Sequence, residues 1–330
     1  MGFFSSLFKK RAEDWFFAFL EPSQTPENLP IKLVEPNTYY LNVHLKSLRI
    51  VNVRLGLSKF YGAVHSFTSI PHRGGKNAEF NVLTTPNKLE ELDAKHIDRV
   101  IPINERLLGP LPYVGGDLDI EVGLFSIKSA DLAAPFIGLL QQMSTLSGVA
   151  FINKALPFAE PLKNGINILT GGQDDTILEI GLSAQFPIVK TGYFVVVRVP
   201  KKDIDVKNIK IDKSDFRLIY SNGVPVSDFP YMVFEISVSD QRDAWFDIPD
   251  LLEPYKNLQK DIREGDFESV QNSLIVFKKA ALTCNDLLFK DAKRLYSEVE
   301  NQVKEIMGTT TVSSKDTATL IPLNEINLYH

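Results

Sequence analysis

Cysteine is almost absent from this 330-residue chain, and the chain has no excess of basic residues. The single cysteine, Cys284, excludes an internal disulfide framework and a cysteine-based structural zinc site. Lys and Arg number 36 against 41 Asp and Glu, a net charge of −5, which argues against a strongly basic nucleic-acid-binding protein. With 44% hydrophobic and 23% charged residues, the composition excludes a disordered chain and predicts a globular protein of roughly two domains.

A long, purely apolar run is also missing. The longest stretch without a charged residue, residues 132–153, carries Gln141, Gln142, Ser144 and Thr145 in its second half. A membrane-spanning helix needs about 20 predominantly apolar residues, so we expect this stretch to be buried inside a domain. The first residues run from apolar to basic, the reverse of a secretory signal, which favours an intracellular protein.

Catalytic and ligand-binding motifs are missing too. The sequence contains no glycine-rich phosphate loop, paired-histidine zinc helix or nucleophile elbow, and its five histidines do not stand at metal-ligand spacing. We therefore predict no catalytic residues, no metal site and no cofactor. An enzyme with a spatially assembled site is kept as an alternative, centred on His72 in the segment 72–76 or on Asp240, Asp243 and Asp247.

Aromatic and basic side chains are concentrated in the first twenty residues. Apolar residues recur there at steps of three and four, which predicts an amphipathic helix over residues 1–20. Such a helix packs on its own protein, lies in a membrane interface, or enters a groove of a partner protein. The predicted membrane or partner contacts are Phe4, Phe8, Lys9, Lys10, Trp15, Phe16 and Phe19.

The middle of the chain has the pattern of β-structure. Four prolines in residues 21–36 predict an extended linker. Short alternating segments with frequent turns then predict a mainly-β domain over residues 37–247, an antiparallel β-sandwich with a helical insertion at residues 129–169.

One loop of this predicted domain has spaced acidic residues. Asp240, Asp243 and Asp247 follow a predicted strand, an arrangement that resembles the third calcium loop of C2 domains. The stretch where a first calcium loop would lie, residues 55–61, contains no aspartate. The sandwich is therefore compatible with a C2-like arrangement that binds no calcium.

The C-terminal part of the chain has a helical period. Apolar residues at steps of three and four predict a helical segment over residues 248–307, with a helix end at Gly265 and a helix start at Asp266. Their stripe of about five heptads is typical of a surface that binds a partner helix or a second copy. The predicted stripe residues are Leu274, Phe277, Leu288 and Leu295. Residues 308–330 are predicted to be a flexible tail, in which residues 321–326 either dock back or bind a partner.

These observations together predict an α+β protein that works by binding. The predicted function is that of a non-enzymatic adaptor, cytoplasmic or held at a membrane face, which uses the β-sandwich and amphipathic helices to engage a partner protein, an assembly or a second copy. Nucleic acid is not a predicted partner, because the basic runs are short and have acidic neighbours. A membrane-perturbing effector that inserts residues 132–153 is the second alternative beside the enzyme.

Overall fold

The computed structural model of the chain describes residues 15–51, 54–55, 58–84, 101–128, 176–199, 203–309 and 319–329. These residues form two five-stranded antiparallel sheets, one two-stranded sheet and three α-helices, an α+β arrangement. The strands are β1 (Trp15–Phe19), β2 (Tyr40–Arg49), β3 (Arg54–Leu55), β4 (Ser58–Pro71), β5 (Asn77–Thr84), β6 (Ile101–Pro112), β7 (Leu118–Lys128), β8 (Thr176–Phe186), β9 (Gly192–Arg198), β10 (Ile209–Ile211), β11 (Leu218–Tyr220) and β12 (Tyr231–Ser239). The helices are α1 (Pro249–Glu264), α2 (Phe267–Thr283) and α3 (Phe289–Thr309).

The two large sheets have different strand orders. The first sheet runs β1-β9-β12-β2-β6, and the second runs β3-β4-β7-β8 with β5 also paired to β4. One apolar cluster contains residues from both sheets, including Val43 and Phe234 of the first and Val64 and Val122 of the second. The two sheets therefore share a hydrophobic core.

The apolar run in β9 is explained by burial on both faces of the first sheet. Phe194 and Val196 belong to the core shared with the second sheet. Val195 and Val197 point the other way and pack under the β10–β11 hairpin. Because successive side chains of a strand alternate between faces, a strand covered on both sides needs a continuous apolar sequence.

The three helices have their own core, and the predicted helix boundaries around Gly265 are confirmed. Gly265 ends α1 in the left-handed conformation (φ 75°), and the Asp266 side chain caps α2 by accepting a hydrogen bond from the Ser269 N–H at 3.0 Å. The described part of the C-terminal tail, residues 319–329, packs against these helices. Its buried residues are Leu320, Leu323, Ile326 and Leu328.

Residues 319–329 therefore do not form a flexible tail, and of the two alternatives for residues 321–326 the structure shows the one in which they dock back, with apolar side chains buried on the helices. The Tyr255 hydroxyl also donates a hydrogen bond to the carbonyl of Ile321.

The prediction of a helix over residues 1–20 is wrong for residues 15–19, which form β1. This strand pairs antiparallel with β9 from Trp15 opposite Arg198 to Phe19 opposite Phe194. Aromatic residues fit strands well, and the edge of β9 supplies backbone hydrogen-bond partners that the local helical period does not reveal. Residues 1–14 and the predicted helical insertion at 129–169 lie outside the described residues.

The proline-rich segment 21–36 runs along the first sheet. The amide of Val34 donates to the carbonyl of Val189 at 3.0 Å, and the amide of Thr191 donates to the carbonyl of Lys32 at 2.9 Å. The segment is thus fixed by backbone hydrogen bonds at its C-terminal end. None of the helices within the described ranges is both long and apolar enough to cross a bilayer.

Candidate functional site

The loop between α2 and α3, residues 284–288, is the point where the helices are attached to the sheets. Tyr40, the first residue of β2, is fully buried there. Its hydroxyl donates to Asp291 Oδ2 at 2.6 Å and accepts from the Leu288 N–H at 3.0 Å. One phenol therefore bonds one oxygen of a buried carboxylate and a backbone amide at the start of α3.

Burial shifts the titration of this pair. Burial, together with the hydrogen bond to Asp291, raises the pKa of Tyr40 far above its ordinary value. Burial also raises the pKa of Asp291, while the hydrogen bond from Tyr40 and the nearby Lys290 and Arg294 oppose that shift. Asp291 Oδ1 lies 3.7 Å from Arg294 Nη1. The Asp291 carboxylate, which anchors the end of the α2–α3 loop to Tyr40, thus lies in a low-dielectric environment.

The turn between β4 and β5 contacts the same loop from the other side. Arg73 donates to the carbonyl of Leu287 at 2.7 Å, and His72 Nε2 lies 3.6 Å from Asp286 Oδ1. Gly74 has φ 97°, and a Cβ at that position would come within 3.1 Å of the Asn285 side chain. The segment 72–76 is therefore packed against the helices by side-chain and backbone contacts.

The geometry around His72 bears on the enzyme alternative. The His72 side chain is only 1% exposed, and within the described residues neither ring nitrogen has a hydrogen-bond partner. Cys284 is buried as well, and burial raises the pKa of its thiol to about 11, which keeps it protonated at neutral pH. His72 lies in the contact between loop and turn, Cys284 lies in the apolar core of the helices, and both side chains are buried.

The other enzyme candidates lie on the surface. Asp240, Asp243 and Asp247 are all exposed between β12 and α1. Among the residues that the structure describes, no group of three or more His, Cys, Asp or Glu side chains is arranged to hold a metal ion. The aspartate loop therefore presents separate carboxylates to solvent.

The outer surface of α2 and α3 has a one-sided distribution of charge. Residues 275–296 contain seven charged residues: Lys278, Lys279, Asp286, Lys290, Asp291, Lys293 and Arg294. All five cations are exposed, whereas both aspartates are buried in the loop contact described above. The turn between β4 and β5 adds Lys76, also exposed, next to this loop. A hairpin with a formal charge of +3 by sequence (5 − 2) thus presents only positive charge to solvent over this span.

Apolar side chains lie among these cations. Ile275 is 63% exposed and Phe289 is 49% exposed. Lys278 Nζ stands 4.7 Å from the centre of the Tyr296 ring, and Lys293 Nζ stands 4.5 Å from the centre of the Phe289 ring. We call the surface formed by Ile275, Lys278, Lys279, Phe289 and Lys293 the basic hairpin surface. Its combination of exposed apolar groups and unopposed cations is suited to binding rather than to core packing.

A second exposed apolar group lies on the β part of the protein. Leu33 forms an isolated antiparallel bridge with Lys190, next to the buried pair Val34 and Val189. On the outward side of this ladder, Leu33 is 64% exposed and Ile188 is 62% exposed, and Ile31 is also exposed. We call Ile31, Leu33 and Ile188 the strand patch.

The predicted partner stripe on the helices is corrected by the structure. Phe277, Leu288 and Leu295 are fully buried and Leu274 is partly buried within the chain's own core, so their period reflects packing between α1, α2 and α3 and against the sheets. Of the predicted N-terminal contacts, Phe4, Phe8, Lys9 and Lys10 lie outside the described residues, and Trp15, Phe16 and Phe19 are in β1. The Phe19 ring packs 5.6 Å from Phe194 and 5.9 Å from Phe186, as part of the sheet core.

The basic hairpin surface was not recognised from the sequence, where Lys278 and Lys279 look like one of several short basic runs. The signal that identifies it is the side of the hairpin on which each charged residue lies. Asp286 and Asp291 belong to the buried side of the hairpin, whereas the five cations occupy outward positions. Comparison of the chain with protein-family models, curated proteins and solved structures finds no match.

Asp291 provides a test of the loop contact through pH. Its pKa is raised on folding, so the folded protein holds this proton more tightly than the unfolded chain. The group therefore stabilises the fold less as pH rises from below its ordinary value of 3.8 through its raised pKa. We expect the free energy of unfolding of Asp291→Asn, relative to wild type, to increase as pH rises through this window, as measured by urea denaturation at several pH values.

Asp266→Asn is the matched control because its pKa shift has the opposite sign. The hydrogen bonds from Ser269 lower the pKa of Asp266, so its stabilising effect is present above its ordinary pKa and is lost as pH falls. The free energy of unfolding of Asp266→Asn, relative to wild type, should therefore decrease as pH rises. Parallel pH trends for the two variants would contradict the assignment of a buried, proton-holding carboxyl to Asp291.

Proposed function

We propose that this protein is a non-enzymatic binding protein, an adaptor that engages other proteins through two surfaces on different parts of its fold. The observation that carries the proposal is that exposed apolar side chains are grouped at the strand patch and lie among exposed cations on the basic hairpin surface, while His72 and Cys284 are buried. Single exposed apolar residues are ordinary on protein surfaces, but grouped ones mark interaction sites.

The architecture supports such a role. The shared apolar cluster between the two large sheets favours a β-sandwich, a rigid body from which both surfaces are presented. The helices are attached to that body through Tyr40, Arg73 and the α2–α3 loop, so the basic hairpin surface has a fixed position relative to the strand patch. The lone, buried Cys284 suits a reducing, intracellular compartment.

The test is site-specific photo-crosslinking in the cells that produce the protein. A photo-reactive amino acid is placed at Leu33 in one variant, at Ile275 in a second, and at the exposed Lys260 of α1 in a control. We expect discrete crosslinked protein products from positions 33 and 275, and none from position 260.

Two further outcomes decide the adaptor role. Purification of the complex through the protein crosslinked at position 33 should also recover the protein bound at position 275, since an adaptor holds both at once. If positions 33 and 275 crosslink no more than position 260, the proposed function is wrong.

A further inference from the structure

The charge of the basic hairpin surface is opposite in sign to that of the protein as a whole. The chain has a net charge of −5, yet residues 275–296 expose five cations and bury both of their carboxylates. Within the described residues, no carboxylate lies within salt-bridge distance of Lys278, Lys279 or Lys293. None of these three cations forms a close ion pair within the described part of the chain, although Lys278 is near enough to Glu300 to help lower the pKa of that carboxyl.

The acidic groups closest to this surface are already engaged. Glu300 is hydrogen-bonded by the Tyr296 hydroxyl at 2.6 Å and paired with Lys304 at 3.0 Å. These hydrogen bonds lower the pKa of Glu300, which stays ionised next to its partners. Glu300, with the exposed Glu298 before it on α3, therefore places negative charge beside Lys278 and at the end of the basic hairpin surface away from the loop.

Two features of the surface favour a protein helix as its ligand. The exposed Ile275 lies one helical turn before Lys278 and Lys279, and the exposed Phe289 lies one turn before Lys293. Apolar side chains beside cations match a helix with apolar residues on one face and carboxylates beside them. The helices α2 and α3 also contact each other, and a third helix can dock on such a pair by ridges-into-grooves packing.

The same features disfavour a membrane or a nucleic acid. The Lys293 ammonium lies over the Phe289 ring, so this ring enters a bilayer only if a charge is carried with it or the contact is broken. Exposed Ile275 and Phe289 also contribute nothing to contacts with phosphates.

We propose that the basic hairpin surface binds an acidic amphipathic helix of a partner protein, with its apolar face on Ile275 and Phe289 and its carboxylates paired with Lys278, Lys279 and Lys293. This inference rests on the proposed binding function and names the chemistry of one of its partners. It makes two demands on the ligand, an apolar face and flanking negative charge, and both are testable with defined peptides.

The experiment measures the binding of four designed peptides to the full-length protein by fluorescence anisotropy. Each peptide has about 20 residues, long enough for substantial helix in isolation. The first has a leucine face with flanking glutamates, the second a leucine face with flanking lysines, the third an alanine face with flanking glutamates, and the fourth the composition of the first in scrambled order. We expect the first peptide to bind most tightly, and its affinity to fall as salt shortens the Debye length from about 10 Å at 0.1 M to about 3 Å at 1 M.

Charge reversal identifies the surface. Lys278→Glu with Lys293→Glu should weaken binding of the first peptide by about tenfold or more, since two attractive pairs become repulsive. The matched control, Lys256→Glu with Lys260→Glu on α1, changes the net charge equally and should leave the affinity unchanged. Both lysines of the control are exposed, so both double variants should fold like wild type, which circular dichroism checks.

The other outcomes overturn the proposal in distinguishable ways. Equal binding of the first and scrambled peptides, or equal losses in the two double variants, excludes a specific helix site on the hairpin. Preferential binding of phosphatidylserine vesicles or of a short DNA duplex, lost only in the Lys278/Lys293 variant, would assign the surface to a membrane or a nucleic acid instead. In each case specific crosslinks at both positions 33 and 275 would leave the adaptor function intact.

Discussion

Replacing Phe277 by alanine is expected to lower the free energy of unfolding by about 3–5 kcal/mol, the usual cost of truncating a buried aromatic side chain. Phe277 lies on α2 with no exposed surface, and its ring centre is 5.5 Å from that of Tyr255 on α1. Removal of the ring leaves a cavity between helices that cannot fully collapse. Urea denaturation followed by circular dichroism measures the change.

Ile275→Ala is the matched control, because it removes an apolar side chain two residues away on the same helix. Ile275 is mostly exposed, so its truncation should change the free energy of unfolding by no more than about 0.5 kcal/mol. Similar, small effects for the two variants would show that Phe277 does not form part of the core. The same pair separates the two roles of α2, since Ile275→Ala should weaken binding of the acidic peptide without destabilising the protein.

This contrast also shows what a helical period can and cannot predict. Apolar residues at steps of three and four correctly indicate the helices after residue 248, together with the helix end at Gly265 and the start at Asp266. The helical period of the apolar residues establishes that one face of a helix is buried. It does not indicate whether that face packs against the same chain or against a partner. The three described helices and residues 319–329 cover that face, which is why the predicted partner stripe is core.

The error at β1 has a related cause. The spacing of aromatic residues before residue 20 fits a helix, but helix formation competes with pairing to a strand almost two hundred residues away in the sequence. Arg198 and Phe194 of β9 lie opposite Trp15 and Phe19, and the free edge of that strand is a property of the whole sheet. A local pattern carries no information about such an edge.

The candidate site depends even more strongly on long-range contacts. Asp286 and Asp291 offset the charge of the neighbouring lysines only if they share the same side of the hairpin. The side of the hairpin that faces the sheets decides this, and here it is the side that carries both aspartates. That orientation is set by Tyr40, which is 251 residues from Asp291 in sequence, and by Arg73. The sequence therefore predicts the charges of the hairpin but not their separation into a buried acidic side and an exposed basic side.

Tyr40→Phe is the variant that tests this long-range contact. The substitution keeps the ring but removes the hydroxyl that donates to Asp291 and accepts from the Leu288 amide. Two buried polar groups lose their partner at once, and since each such loss costs about 1–3 kcal/mol, we expect a total destabilisation of about 2–6 kcal/mol. Urea denaturation measures the loss, and native-state hydrogen exchange should show faster exchange of the Leu288 amide.

Tyr296→Phe is the control for the loss of a tyrosine hydroxyl. Its hydroxyl donates to Glu300 on the surface of α3, where water replaces the lost partner, so a change of no more than about 0.5 kcal/mol is expected. The two variants should also differ in binding. Because Tyr40 fixes the orientation of the α2–α3 loop, Tyr40→Phe should weaken binding of the acidic peptide although it changes no charge on the basic hairpin surface. A Tyr40→Phe protein with wild-type stability and wild-type peptide affinity would show that this contact does not position the hairpin.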